Sequence, residues 1–142
     1  NEEHDLPKPA NSYGIAGWMA EGNEVVLYDK YDMWVIDLTG RKKAYSLTNG
    51  WGRENKTVLR ILKSDYDSKK IDTKQNILLE TVNTESLDQG VYELSPSRKL
   101  RKLIEGPYAL NFNALSSDRK YCMFIRQSYS EFRDIWRIIV FA

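Results

Sequence analysis

Few side chains here are equipped for chemistry. Among 142 residues there is one histidine, His4, and one cysteine, Cys122. An α/β-hydrolase nucleophile sits in a Gly-x-Ser-x-Gly elbow that allows a sharp strand-to-helix turn, and it needs a histidine as general base. No such pentapeptide occurs, and His4 lies in a stretch with Pro7 and Pro9 that suits a solvent-exposed imidazole. One histidine and one cysteine cannot assemble a tetrahedral zinc site without carboxylates or a second chain. Asp65, Asp67 and Asp72 invite comparison with a calcium loop, but Lys70 and Asn76 stand where an EF-hand needs Gly and Glu. A charged surface loop is the reading there. Glu2, Glu3, Asp29 and Asp32 could be imagined as acid pairs, yet nothing places them about a common substrate. Asp32 and Asp134, each just before a strand, are read as structural acceptors of backbone N–H bonds in turns. Cys122, between Tyr121 and Met123, reads as a small buried side chain. Asn55-Lys56-Thr57 matches a glycosylation sequon, which matters only in a eukaryotic secretory setting. No residue is assigned a catalytic, cofactor-binding or metal-binding role, and no cofactor is expected.

Charge excludes further classes. Twenty-one basic and 20 acidic residues leave a net charge of +1, so there is no electrostatic footprint for nucleic acid or an anionic membrane. Arg41-Lys42-Lys43 and Arg98-Lys99-Leu100-Arg101-Lys102 are read as solvated strand faces. No run approaches the roughly 18 consecutive apolar residues of a membrane helix. A lone cysteine excludes an internal disulfide. The chain begins at Asn1 and stops in the strand-like Ile138-Ile139-Val140-Phe141-Ala142, which gives the expectation of a piece of a longer protein.

The elements that must position these residues read as short strands. Residues 1–12 form an extended lead-in. Strands are expected at 15–19, 24–28, 34–38 and 43–47, with turns at Glu21-Gly22-Asn23 and Thr39-Gly40. A second set is expected at 58–62, 76–82, 90–94 and 99–104, interrupted by a charged insert at 64–74. A third set, 110–115, 121–126 and 135–141, lacks a fourth strand. Tyr129, Phe132, Trp136, Ile139 and Val140 also fit a helical spacing, as do Val58, Leu59, Ile61 and Leu62. The strand reading is preferred at both places.

The preference rests on a repeat. Asp32-Met33-Trp34-Val35-Ile36-Asp37 returns as Asp134-Ile135-Trp136-Arg137-Ile138-Ile139, with a weaker copy at Gly90-Val91-Tyr92-Glu93-Leu94. The aromatic marks are 58 and 44 residues apart, close to the span of a four-stranded propeller blade. The expected fold is therefore all-β, a partial β-propeller over 13–142 with about two and three-quarter four-stranded antiparallel blades at 13–52, 56–107 and 108–142, the last incomplete. Trp34, Tyr92 and Trp136 are expected to fill the wedges between blades.

Asp32-Met33-Trp34-Val35-Ile36-Asp37, Gly90-Val91-Tyr92-Glu93-Leu94 and Glu131-Phe132-Arg133-Asp134-Ile135-Trp136, with Leu47-Thr48-Asn49-Gly50 after the first outer strand, resemble the β-propeller of large bacterial prolyl oligopeptidase family serine peptidases, a group related to dipeptidyl peptidase IV. The resemblance implies a propeller that caps an α/β-hydrolase domain bearing a Ser, Asp, His triad, in a secreted or periplasmic enzyme acting on peptides. That domain and its triad lie outside this sequence, so the segment alone is expected to hydrolyse nothing and to serve in scaffolding and gating. The alternative is a non-enzymatic propeller that binds a partner. An incomplete propeller leaves strand edges and blade faces uncovered, so self-association of the isolated segment is expected.

Overall fold

The computed structural model describes residues 11–62, 70–118 and 120–140. Among these the chain forms twelve strands, in three sheets, and one four-residue helix. The first sheet holds β1 (Ile15–Met19), β2 (Glu24–Tyr28), β3 (Met33–Asp37) and β4 (Tyr45–Ser46), each antiparallel to the one before. The helix α1 (Trp51–Glu54) then leads to the second sheet. That sheet is β5 (Thr57–Ile61), β7 (Ile77–Asn83), β8 (Gln89–Leu94) and β9 (Leu100–Gly106), again an antiparallel meander. The third is β10 (Ala109–Leu115), β11 (Tyr121–Gln127) and β12 (Asp134–Ile139), with no fourth strand among the described residues. β12 settles the ambiguity at 129–140 against a helix, with a loop before it.

One strand departs from the meander. β6 (Lys70–Ile71) leaves the insert of the second sheet and pairs parallel with β1, matching Trp18 to Lys70 and Met19 to Ile71. The Ala20 N–H donates to the Ile71 carbonyl at 2.8 Å, and Ile71 is buried. The first sheet therefore has five strands in the order β4-β3-β2-β1-β6, where four were expected. A charged insert gave no sign of this, because two residues become a strand only when a partner edge is supplied.

The sheets pack face to face. Ala16, Val26, Met33, Val35 and Leu47 of the first meet Leu59, Leu79, Tyr92 and Leu94 of the second, with Ile71. The opposite face of the second sheet carries Leu62, Leu78 and Val91 against Cys122, Phe124 and Val140 of the third. The middle sheet is thus covered on both sides, which is why β8 is buried almost end to end where a half-exposed strand would alternate. Each large apolar side chain sealed in these layers contributes roughly 1.5–3 kcal/mol relative to an exposed one. At Gly90 a Cβ would lie 2.7 Å from both the Ile104 carbonyl and the Thr81 hydroxyl, so only glycine fits where β8 passes between its neighbours.

The recurrent aromatics follow one rule that the wedge expectation only half captured. All three lie on the third strand of their sheet. Tyr92 faces the first sheet and is 4% exposed; Trp136, the cross-strand partner of buried Phe124, faces the second and is 40% exposed. Trp34 pairs with Leu27 on the face turned away from the second sheet, where no described sheet lies, and is 37% exposed. Each therefore points to the preceding position in the stack, and only Tyr92 is fully plugged there.

Strand ends shift by a residue or two from expectation, and the fourth strand of the first sheet is two residues where five were expected. The expected strand at 135–141 is seen as Asp134–Ile139, its residue 141 lying outside the described residues.

Candidate functional site

The concave feature that gathers charge and apolar surface together is a cleft between the second and third sheets, along their first strands. Two adjoining cavities of about 260 and 460 Å³ share Arg60, Leu62, Glu80, Leu110 and Phe112 in their walls. Arg60 on β5 and Glu80 on β7 are direct cross-strand neighbours, so both side chains leave the sheet on the face turned to β10. The Arg60 guanidinium stacks 4.5 Å from the Tyr28 ring centre and donates to the carbonyls of Leu59 (2.8 Å), Asp29 (3.1 Å) and Lys30 (3.3 Å). It is a strut from the second sheet to the β2–β3 turn, and burial lowers its pKa below the ordinary arginine value.

Glu80 is placed differently. Its outer edge is exposed at the cleft mouth, and among the described residues no hydrogen-bond donor reaches its carboxylate. Burial of its inner side raises its pKa, and the attraction of Arg60 offsets part of that rise. Tyr28 closes the far side; burial raises its pKa, while its hydroxyl accepts the Ile61 N–H at 3.1 Å. The cleft can bind through one carboxylate and an apolar wall. It has no nucleophile–base pair, and no group of three or more His, Cys, Asp or Glu side chains stands ready for a metal among the described residues.

A wider, open depression of about 810 Å³ lies at the loop end of the same two sheets, between Leu87, Tyr108 and the β11–β12 loop with Tyr129 and Phe132. Arg126 stands beneath that loop, stacked 3.6 Å from the Trp136 ring centre and 4.9 Å from that of Tyr108, and paired to Glu131 at 3.0 Å. Its Nε is buried without a hydrogen-bond partner.

Where they are described, the acidic residues singled out by sequence accept hydrogen bonds from nearby groups. Asp32 is 1% exposed; its Oδ1 accepts the Thr48 hydroxyl at 2.6 Å and the Gly52 N–H at 2.9 Å, and its Oδ2 accepts the Arg53 N–H at 2.9 Å. It ties a strand turn to the start of α1, where free N–H groups attract a carboxylate. Asp29 accepts the N–H groups of Tyr31 and Asp32 and the Trp34 indole N–H. Burial alone would raise its pKa, but these donors, with Arg53, leave it below the ordinary value. Neither carboxylate has the freedom of an acid–base catalyst. Asp134 accepts the neighbouring Ile135 N–H, at 2.7 Å. Asp72 accepts the Lys74 N–H and the Gln75 amide within its own turn. Cys122 is buried, its thiol pushed up to about 11 by that burial. The Asn55 side chain donates to the Trp51 carbonyl at 2.9 Å. His4, Glu2, Glu3, Asp65 and Asp67 lie outside the described residues.

Compared whole, the fold is similar to that of a luciferin-regenerating enzyme. The match has a TM-score of 0.54 at 12% identity, and covers 87% of this chain and 45% of that one. The chain thus spans less than half the length of that neighbour. At so low an identity the likeness carries the fold alone: an all-β, partial propeller-like stack of antiparallel sheets. No family model and no curated protein matches the sequence.

Sequence reasoning missed Arg60, Glu80 and Arg126. Arg60 and Glu80 occupy alternate positions in otherwise apolar strands, the ordinary mark of a solvent face. Only the arrival of β10 over that face turns them into walls of a cleft.

Proposed function

We propose that this chain is a non-catalytic propeller section of a hydrolase of the prolyl oligopeptidase type, scaffolding the enzyme and limiting entry to peptides. The observation that carries the reading is the stack itself: sheets packed face to face, with the repeated aromatic on the third strand of each meander, a build suited to walling a chamber. The residue motifs at Asp32–Asp37, Gly90–Leu94 and Glu131–Trp136 support the family. Its contribution would be access and orientation, keeping folded proteins from a catalytic chamber.

The test is to treat the natural protein that contains this segment with a fluorophosphonate probe for activated serines. Labelling should map to a serine outside these 142 residues, with peptides cleaved and folded proteins spared. An unlabelled protein would leave the competing reading, a propeller that only binds. That reading draws on the exposed Tyr129 and Phe132 beside the open depression.

A further inference from the structure

Among the described residues, two apolar sheet faces are left uncovered at the ends of the stack. On the first sheet, cross-strand rows Ile15–Leu27–Trp34 and Trp18–Val25–Ile36 point away from the second sheet, and Ile15, Trp18 and Trp34 are each more than one-third exposed. On the third, Tyr121–Ile139, Met123–Arg137 and Ile125–Ile135 point away from it in the same manner. Tyr121, Met123, Ile135 and Ile139 are also each more than one-third exposed. Contiguous exposed apolar surface of this kind marks an interface.

We propose that these faces are docking surfaces for one another across two copies of this chain, closing a ring of six sheets. The internal interfaces dictate which face meets which. In both, the aromatic-bearing face of one sheet lies on the opposite face of the sheet before it: Tyr92 toward the first sheet, Trp136 toward the second. Continuing that rule seats the Trp34 face of one copy on the Met123 and Ile135 face of the other. Two such contacts by one operator close the pair, because a head-to-tail contact ends only when its rotation completes a circle.

Size agrees with closure. One chain overlays 45% of a neighbour built on a propeller, so two would account for 90% of such a molecule (2 × 45%). A net charge of only +1 per chain leaves little repulsion against pairing. The exposed hydrophobic tips Tyr129 and Phe132 lie on the β11–β12 loop, off both faces, and take no part. The pairing goes beyond the proposed function and competes with further sheets of the same protein for these two faces; the mass measured below separates the two, and the serine probe tests the peptidase reading by itself.

Light scattering coupled to size exclusion, with the chain loaded at about 100 µM to favour a concentration-dependent assembly, tests it. The expected mass is twice 16.6 kDa, 33.2 kDa. Ile15→Asp and Ile135→Asp, on opposite end faces, should each weaken the pair by on the order of 30-fold or more. Phe132→Ser should leave it intact. Trp18→Asp and Ile139→Asp serve as second variants on each face, and circular dichroism establishes that each keeps its strands. A mass of 16.6 kDa for the unmodified chain would overturn the pairing and assign both faces to further sheets of a longer protein. Sensitivity to Ile135→Asp but not to Ile15→Asp or Trp18→Asp would mean that third sheets pair with each other, and would overturn it too. So would an unbounded ladder of masses.

Discussion

Asp32 shows how one carboxylate can decide a local structure. It joins the turn before β3 to Thr48 and to two N–H groups at the start of α1, with the Thr48 and Gly52 bonds buried and that of Arg53 partly so. Removing it leaves buried donors unsatisfied, each costing roughly 1–3 kcal/mol, though such losses do not simply add. Asp32→Ala should lower the unfolding free energy by about 3 kcal/mol in a urea titration, with Asp32→Asn losing less because one acceptor oxygen remains. Glu80 argues the other way. Its folded pKa stands above the ordinary 4.5, so the protonated form is the one that folding favours. That contribution is complete below the unfolded pKa and disappears as pH climbs through the raised folded value. At neutral pH the ionised carboxylate is therefore a net cost, and Glu80→Gln should raise the melting temperature at pH 7 while changing it little at pH 4. A lower melting temperature at pH 7 would mean that the attraction to Arg60 outweighs burial.

At the scale of elements, strands were easier to foresee than what lies between them. Alternating or continuous apolar runs bounded by Gly22, Gly40 and Ser95-Pro96-Ser97 are local signals, and they place the main strands within a few residues. The helix α1 has no comparable signal. It is four residues long, follows Gly50 at φ 75°, and draws its anchoring acceptor from Asp32, some twenty positions earlier. β6 likewise depends on an edge 52 residues upstream. The candidate cleft was illegible for the same reason: Arg60 and Glu80 look solvent-facing until β10 is laid over them. Where backbones crowd, the prediction is sharp. Gly90→Ala would push a methyl against the Ile104 carbonyl and the Thr81 hydroxyl, and should cost about 1–3 kcal/mol. Loss of amide-exchange protection concentrated in β7, β8 and β9 would confirm where the strain falls.

For the molecule as a whole, position in the stack decides what each repeat can bury. The middle sheet has a neighbour on either side, and it is further clamped to the third by Arg101, which pairs with the buried Glu93 at 3.1 Å and donates to the Val140 carbonyl at 2.5 Å. Among the described residues the outer sheets carry the same kind of residues with one neighbouring sheet each, so large hydrophobic side chains there face outward and stay exposed. Trp34 and Tyr92 illustrate the point, since equivalent places in two sheets give opposite exposure. Order of synthesis adds one more consequence, through the borrowed strand at Lys70–Ile71. The edge of β1 at Met19 has no partner until Ile71 has left the ribosome, 52 residues later. At roughly 5–20 residues per second that is an interval of several seconds. Throughout it the nascent polypeptide presents a bare ribbon, open to a chaperone or to a sister chain on the same messenger, until its own later segment arrives to take the place.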